Sequence, residues 1–187
     1  MAHVPHAQRR EQLIAATIEV MATSGLDTAT SRRIAEAAEA PLASIHYTFG
    51  TLESLISTAY AEVLEEVRGL LDRSVPRTQG FGIAMESLAD AVADLFADPR
   101  FGILLIDLNP AGDDRLLEVG DRYYDFGPEL VRSVATESGN EPPLDPDQFG
   151  RLIMAGIDGV GQQFSFHHDP ELARTDLRVL LGALARP

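Results

Sequence analysis

The chain has 187 residues, 45% of them hydrophobic, and a formal net charge of −14 at pH 7. This length allows one globular domain, or a small module and a larger domain, with a sizeable core. The absence of cysteine excludes disulfides, thiolate catalysis and cysteine-ligated zinc. No stretch approaches the roughly 20 apolar residues of a membrane-spanning helix, and the N-terminus has no signal-peptide hydrophobic region, so we expect a cytoplasmic protein.

Charge is spread unevenly along the sequence. Residues 1–49 hold four arginines and five acidic residues, a net of −1, so residues 50–187 carry the other −13. A strongly acidic surface repels the phosphate backbone, which argues against non-specific binding of nucleic acid by the whole chain. The sequence therefore divides into a nearly neutral N-terminal segment and an acidic body.

Three helices are predicted in the N-terminal segment. The first has apolar residues at helical spacing and ends at Gly25, which fits a C-cap. Thr30 is the predicted N-cap of the second helix, and Pro41 fits the first turn of the third. Two short helices joined by a tight turn can place a recognition helix in the major groove of DNA.

The acidic body is predicted to be helical throughout. Six further helices are predicted, over residues 51–75, 81–97, 101–108, 113–138, 147–166 and 171–185. The segment 101–108 is short and nearly all apolar, and its helical neighbours favour a buried helix over a strand. Pro128 is expected to bend the helix that contains it. The fold class is therefore all-α, with about nine helices.

A spaced pattern runs through residues 9–55. Its members are Arg10, Ile14, Ala15, Ala16, Gly25, Thr30, Ile34, Ala35, Ala37, Ala38, Ile45, Tyr47, Phe49, Glu53 and Leu55. This pattern resembles the DNA-binding domain of the TetR (tetracycline repressor-like) family of bacterial transcription regulators. A weaker echo of the family follows at 157–159, with Gln162 and Asp169-Pro170. The resemblance implies a helix-turn-helix DNA-binding domain at 1–50 and a ligand-binding and dimerisation domain at 51–187.

The third helix is the recognition helix that this resemblance implies. Leu42, Ile45 and Phe49 are expected to face the core of the three-helix domain. The expected contacts with double-stranded DNA are Arg10, Arg32, Arg33, Ser44, His46, Tyr47 and Thr48. Hydroxyl and imidazole groups can bond base edges or phosphates, and an arginine can bind a guanine through two hydrogen bonds. The competing interpretation is a surface tyrosine beside solvated arginines.

Four positions depart from the family pattern. Glu39 replaces a turn glycine, so a non-glycine residue is expected at positive φ. Pro41 replaces a serine cap, His46 a tyrosine, and Leu52 a lysine that would contact phosphate. Either the site has diverged with compensation elsewhere, or its DNA binding is weakened.

The acidic body contains residues suited to line an effector pocket. They are Met85, Leu88, Phe101, Leu105, Tyr123, Phe126 and Ile153. Walls of this kind suit a small apolar or amphipathic molecule, although any one such residue is more often plain core. The candidate polar anchors are Asp107, Asn109, Arg122, Tyr123, Tyr124 and Gln162.

Four glycines lie in the predicted helix at 147–166, each unfavourable there by about 1 kcal/mol relative to alanine. Close approach of another backbone would offset this cost. We expect the last two helices to form a four-helix bundle between the subunits of a homodimer. The leucines of the last helix, Leu172, Leu177, Leu180, Leu181 and Leu184, supply its expected apolar residues.

The predicted function is a ligand-responsive repressor that binds a palindromic operator as a dimer. The alternative is a helical adaptor or ligand-sequestering protein with weakened DNA binding. An enzyme is not predicted, because the sequence has no Glu-x-x-His pair, no glycine-rich phosphate loop and no nucleophile motif. Neither a metal nor a cofactor is expected, since His167, His168 and Asp169 are adjacent at a helix end and cannot all face one ion.

Overall fold

The computed structural model describes residues 5–100 and 114–186, with the side chains of 114–116 excepted. These residues form eight α-helices, one 3-10 turn at Leu26–Thr28 and no strand. The helices are α1 His6–Ser24, α2 Ser31–Ala37, α3 Ala43–Phe49, α4 Leu52–Ser74, α5 Phe81–Phe96, α6 Asp114–Ser138, α7 Pro146–His167 and α8 Pro170–Leu184. The all-α prediction is confirmed. The helix predicted at 101–108, with Phe101 and Leu105, and the candidate anchors Asp107 and Asn109 lie outside the described residues.

Local capping explains where the N-terminal helices begin and end. Gly25 has φ 81°, and its amide donates to the carbonyl of Met21, which closes α1. The hydroxyl of Thr30 accepts from the amide of Arg33 at 3.4 Å and caps α2. Thr51 Oγ1 accepts from the backbone at 3.1 Å at the start of α4. Pro41 precedes α3 instead of lying in its first turn, since that helix begins at Ala43.

The last two helices share one type of N-terminus. Asp145 and Asp169 each accept two backbone amides at 3.0–3.1 Å, and each is followed by a proline at the first helical position. A carboxylate cap satisfies amides that have no partner within the helix, and proline loses nothing there.

The described residues fall into two compact units. The first takes its residues from Met1–Glu65 and Pro99–Val119, and the second from Glu66–Asp98 and Gly120–Pro187. In the first unit, α1, α2 and α3 pack around side chains that are fully buried: Leu13, Ile14, Ile34, Ile45 and Leu55. Helix α4 contributes residues to both units.

In the second unit, α8 packs against α5 and α7. Leu177 and Leu181 are fully buried on α8 within the chain itself, so they do not belong to a surface that another subunit could cover. Ion pairs reinforce the contact of α8 with α5. Arg178 makes two bonds to the carboxylate of Asp90 at 2.7 and 2.8 Å, and Arg174 bonds Asp94 at 2.7 Å.

One glycine in α7 is required by a backbone contact inside the chain. A Cβ atom on Gly150 would lie 2.1 Å from the backbone nitrogen of Pro128. Gly150 therefore lets α6 and α7 cross in backbone contact. A Cβ on Gly156 would lie 2.3 Å from Leu180 Cδ2, the end of a side chain that can shift. A Cβ on Gly159 would have no neighbour within 4 Å among the described residues.

None of the described helices combines the length and the apolar composition that a bilayer crossing requires.

Candidate nucleic-acid interface and effector region

Helix α3 presents its polar residues on one side of the first unit. Ile45 is fully buried and fixes the helix on the core, whereas Tyr47 is 84% exposed and His46 is exposed beside it. Ser44 is half-buried. Since successive helical residues are about 100° apart, anchoring Ile45 directs His46 and Tyr47 towards solvent. The outward direction expected for these two side chains agrees with the structure.

Two expectations for this helix are wrong. Leu42 is 51% exposed instead of facing the core, because it lies in the turn before α3 begins. Thr48 was expected to face outward, but its hydroxyl is buried and has no hydrogen-bond partner among the described residues. Thr48 is three residues after Ile45, and this spacing brings both to the core face of the helix.

The three arginines predicted to contact DNA differ in their surroundings. Arg10 lies over the ring of Phe49, 5.6 Å from its centroid, and its Nη1 is 3.5 Å from a carboxylate oxygen of Glu62. Arg33 donates from Nη2 to the hydroxyl of Ser24 at 2.9 Å. Arg32 is exposed on the first turn of α2. Each of these polar contacts uses one nitrogen of its guanidinium, so Arg10 and Arg33 keep other N–H donors with which to bind a phosphate.

The turn between α2 and α3 adopts the conformation expected from its sequence. Glu39 has φ 47°, the left-handed conformation that a glycine would adopt without steric cost. The amide of Ala40 donates to the carbonyl of Ala35 at 2.9 Å and closes the end of α2. Glu39 thus preserves the tight turn, at a backbone cost of about 1 kcal/mol.

The exposed residues of α3 make two contacts, one with the ring of His6 and one with the backbone carbonyl of Gly50. The ring of His6, in the first turn of α1, meets the edge of Tyr47 with centroids 6.0 Å apart. The Nδ1 atom of His46 lies 3.1 Å from the carbonyl oxygen of Gly50. This leaves Nε2 as the ring nitrogen available to an outside partner. Leu52 lies at the position where the family pattern has a lysine. It is half-buried and is the first residue of α4.

The described effector residues lie in the interior of the second unit. Met85 and Leu88 on α5 and Ile153 on α7 are fully buried, and Tyr123 and Phe126 on α6 are nearly so. The guanidinium of Arg68 lies over the Phe126 ring, 5.8 Å from its centroid. Burial of this kind fits both a plain core and the wall of an enclosed pocket.

A polar cluster that the sequence did not predict joins α6 to α7. Tyr123 donates its hydroxyl to Asp158 Oδ1 at 2.8 Å, and Tyr124 donates to Oδ2 at 3.0 Å. The two tyrosine rings meet edge to face, with centroids 5.0 Å apart. Tyr123 and Tyr124 were recognised as candidate anchors. Their common acceptor lies more than thirty residues away, and nothing in the sequence marks that pairing.

Burial dominates the electrostatics of this cluster. Partial desolvation raises the pKa of Asp158, although the two tyrosine hydrogen bonds act in the opposite direction. Burial, together with the nearby carboxylate, raises the pKa of Tyr123 well above its usual value of 10.0. The phenol thus stays a hydrogen-bond donor across the physiological range.

Comparison with known proteins identifies the family. No protein-family model matches the chain. The nicotine-responsive helix-turn-helix transcriptional repressor HdnoR of Paenarthrobacter nicotinovorans is 39% identical to it over 83% of each chain. A transcriptional regulator from Rhodococcus sp. Rha1 has the same fold, with TM-score 0.80 and 20% identity over 94% of this chain and 95% of that one. A TetR-family regulator from Rhodococcus sp. aligns with TM-score 0.77 and 14% identity, over 96% and 100% of the two chains.

The chain belongs to the TetR family of transcriptional regulators. The family resemblance recognised in residues 9–55 is thereby confirmed. In this TetR-family regulator, α2 and α3 are two short helices joined by a tight turn, the arrangement predicted for the helix-turn-helix. Those predicted effector residues that the structure describes lie in the second unit.

Proposed function

We propose that this TetR-family regulator is a ligand-responsive repressor that binds a palindromic operator as a homodimer in the bacterial cytoplasm. The observation that carries the proposal is the exposed face of α3, where Tyr47 and His46 project from the nearly neutral segment 1–49. The function named for the 39%-identical relative, a nicotine-responsive repressor, supports the same proposal.

Four residues are proposed to make the principal contacts with DNA. His46 and Ser44 on α3 would read base edges, while the hydroxyl of Tyr47 binds a phosphate. Arg32, exposed at the start of α2, would bind a phosphate or a guanine. Thr48 is no longer in this group, because its hydroxyl is buried.

The proposed dimer surface is an exposed stripe on the last two helices, here called the α7–α8 stripe. Its members on α7 are Leu152, Ala155, Gly159, Gln162 and Phe166, and those on α8 are Leu172, Thr175 and Val179. The spacing of three or four residues places each set on one face of its helix. Phe166 is 80% exposed and Val179 is 69% exposed, which is unusual for large apolar side chains.

A two-fold partner would bury this stripe against its own copy and form a four-helix bundle. Gly159 lies within the stripe with open space where a Cβ would be, so a partner helix can approach closely there. The same two-fold axis would relate two recognition helices and match the symmetry of a palindromic operator.

The proposed effector is a small molecule with both apolar and polar groups. Buried aliphatic and aromatic side chains of α5, α6 and α7 provide apolar contacts, and Tyr123 and Tyr124 provide hydroxyls close to them. Effector binding changes operator affinity only if the effector prefers one of two conformations that differ in DNA affinity.

A gel-shift titration with the DNA upstream of the protein's own gene tests this function. We expect the wild type to shift that fragment in competition with unrelated DNA, and Tyr47→Ala to lose most of the shift. Ile83→Ala is a matched control, since Ile83 is another exposed apolar residue but lies in the second unit. If the wild type shifts no fragment from its own locus, the adaptor or ligand-sequestering reading replaces the repressor.

A further inference from the structure

We propose that Asp158, Tyr123 and Tyr124 form the recognition site for a small organic cation. The inference rests on the proposed function, because it names the chemical class of the effector. Asp158 supplies the charge, the two tyrosines hold its carboxylate in place, and the exposed Tyr124 offers its ring to the ligand.

The geometry of the carboxylate leaves room for a further partner. Each oxygen of Asp158 accepts one phenolic hydrogen bond, from Tyr123 to Oδ1 at 2.8 Å and from Tyr124 to Oδ2 at 3.0 Å. A carboxylate oxygen can accept two hydrogen bonds, so each keeps one position that no described residue uses. Asp158 is half-buried and Tyr124 is 47% exposed, which makes the cluster accessible to solvent from the side of Tyr124.

The charge of this cluster is unbalanced. None of the ion pairs between described residues includes Asp158, and its hydrogen-bond donors are two neutral phenols. The contrast is Asp90 in the same unit, which pairs with both Arg174 and Arg178. A partly desolvated carboxylate without a cation is costly, and a bound cation would remove that cost.

The aromatic rings favour an organic cation over a metal ion. The faces of tyrosine rings carry negative electrostatic potential and attract ammonium groups within about 6 Å of their centroids. One carboxylate with two phenols is a poor ligand set for a divalent metal, which binds several carboxylate or carbonyl oxygens. The excess negative charge of the body also raises the local concentration of any cation.

Isothermal titration calorimetry on the protein without DNA tests the proposal. The probe is benzyltrimethylammonium, a permanent cation with one aromatic ring, and the comparison ligand is neopentylbenzene, in which carbon replaces the charged nitrogen. Working at about 0.15 M salt screens the general attraction of an acidic surface. We expect the wild type to bind the cation at least roughly tenfold more tightly than the neutral compound, because only the cation can pair with Asp158.

Three variants assign the affinity to named residues. Asp158→Asn should lose about tenfold or more in cation affinity, whereas the charge-matched control Asp121→Asn, on exposed α6 surface, should not change it. Tyr124→Leu should weaken binding, since it removes the ring. Tyr124→Phe should retain binding, since it keeps the ring and frees one carboxylate position. Tyr124 is exposed, so these last variants remain informative even if Asp158→Asn fails to fold.

Equal affinity of the wild type for the two probes would overturn the proposal, as would an unchanged cation affinity in a folded Asp158→Asn variant. In either case the cluster would be only a structural tie between α6 and α7. A negative result in this titration would not count against operator binding. A lack of operator binding would not change the result of this titration. The two proposals are therefore tested separately.

Discussion

Ile45 and Tyr47 lie two residues apart on α3, and helical geometry sends them to opposite sides. Ile45 is fully buried and sets the rotation of the helix, so Tyr47 and its neighbour His46 are exposed to solvent. The same rotation turns the hydroxyl of Thr48 inward. The burial of Ile45 thus determines which polar side chains of α3 are exposed on the surface.

Ser44 and Leu52 allow specific and non-specific binding to be separated. Replacing Ser44 with alanine should weaken binding to the operator by about tenfold, since it removes a base or phosphate hydrogen bond, and should leave unrelated DNA nearly unaffected. Replacing Leu52 with lysine should strengthen binding to all sequences and steepen the salt dependence by about one unit per protomer, through an added phosphate contact.

Fluorescence anisotropy with operator and scrambled duplexes, over a series of salt concentrations, measures both effects. The prediction for Leu52 fails if Leu52→Lys leaves the slope of log affinity against log salt unchanged.

Asp90 gives a pH-dependent contribution to stability. Hydrogen bonds from Arg178, the largest effect, and then the charges of Arg178 and Arg174 lower its pKa, despite an opposing contribution from burial. A lowered folded-state pKa stabilises the protein above the unfolded pKa of about 4, and this contribution disappears as pH falls through the folded value. Asp90→Asn should therefore lower Tm by about 2–4 °C at pH 7.

Thermal melts from pH 7 to pH 3 check this expectation, with the exposed Asp121→Asn as control. The difference in Tm between wild type and Asp90→Asn should shrink towards the acidic end. A difference that is constant with pH would contradict the assigned cause.

The crossing of helices α6 and α7 depends on Gly127 and Gly150, whose backbones are in contact. A Cβ on Gly150 would lie 2.1 Å from the nitrogen of Pro128 and 2.5 Å from the carbonyl carbon of Gly127. Both are backbone atoms, so neither can rotate away. Gly150→Ala should destabilise the fold by about 2 kcal/mol or more, against the usual gain of about 1 kcal/mol for this change within a helix.

Gly120→Ala is the matched control, because Gly120 is also helical and a Cβ there meets nothing within 4 Å. Chemical denaturation of both variants gives the comparison. If Gly150→Ala is as stable as Gly120→Ala, the two helices do not cross as closely as the structure places them.

The α7–α8 stripe is the element on which the proposed dimer depends. Val179→Asp puts a charge where the proposed interface is buried and should shift the protein towards monomer at micromolar concentration, with little change in helix content. Ile83→Asp adds the same charge at a residue of α5 that is 43% exposed and should leave the oligomeric state unchanged. Light scattering reads the mass directly, and a wild-type monomer at micromolar concentration would exclude the dimer.

Local signals in the sequence placed several helix ends correctly. Thr30 caps α2 and Gly25 ends α1 as predicted, because each acts within four residues of its own position. Leu177 and Leu181 of α8 were misassigned to the dimer surface, since helical spacing does not say whether a face packs within the chain or between chains. The cluster at Asp158 was missed because it joins residues of different helices that are far apart in sequence.

Across the whole molecule, negative charge is concentrated outside the N-terminal segment. The segment at 1–49 has a net charge of −1, and the remaining chain has −13. Because the acidic residues repel phosphate, we expect DNA to be approached through the segment 1–49, with a non-specific affinity that is low and sensitive to salt. An acidic body also favours a cationic effector over an anionic one.

We propose that a dimer of this TetR-family regulator reads a two-fold symmetric operator through α3. Footprinting of the upstream DNA, combined with sedimentation of the complex, measures the protected half-sites and the number of bound protomers. We expect two protected half-sites whose centres are about one helical turn, or a multiple of it, apart, with at least two protomers bound. Protection of a single half-site by a monomer, or no protected site at all, would contradict it.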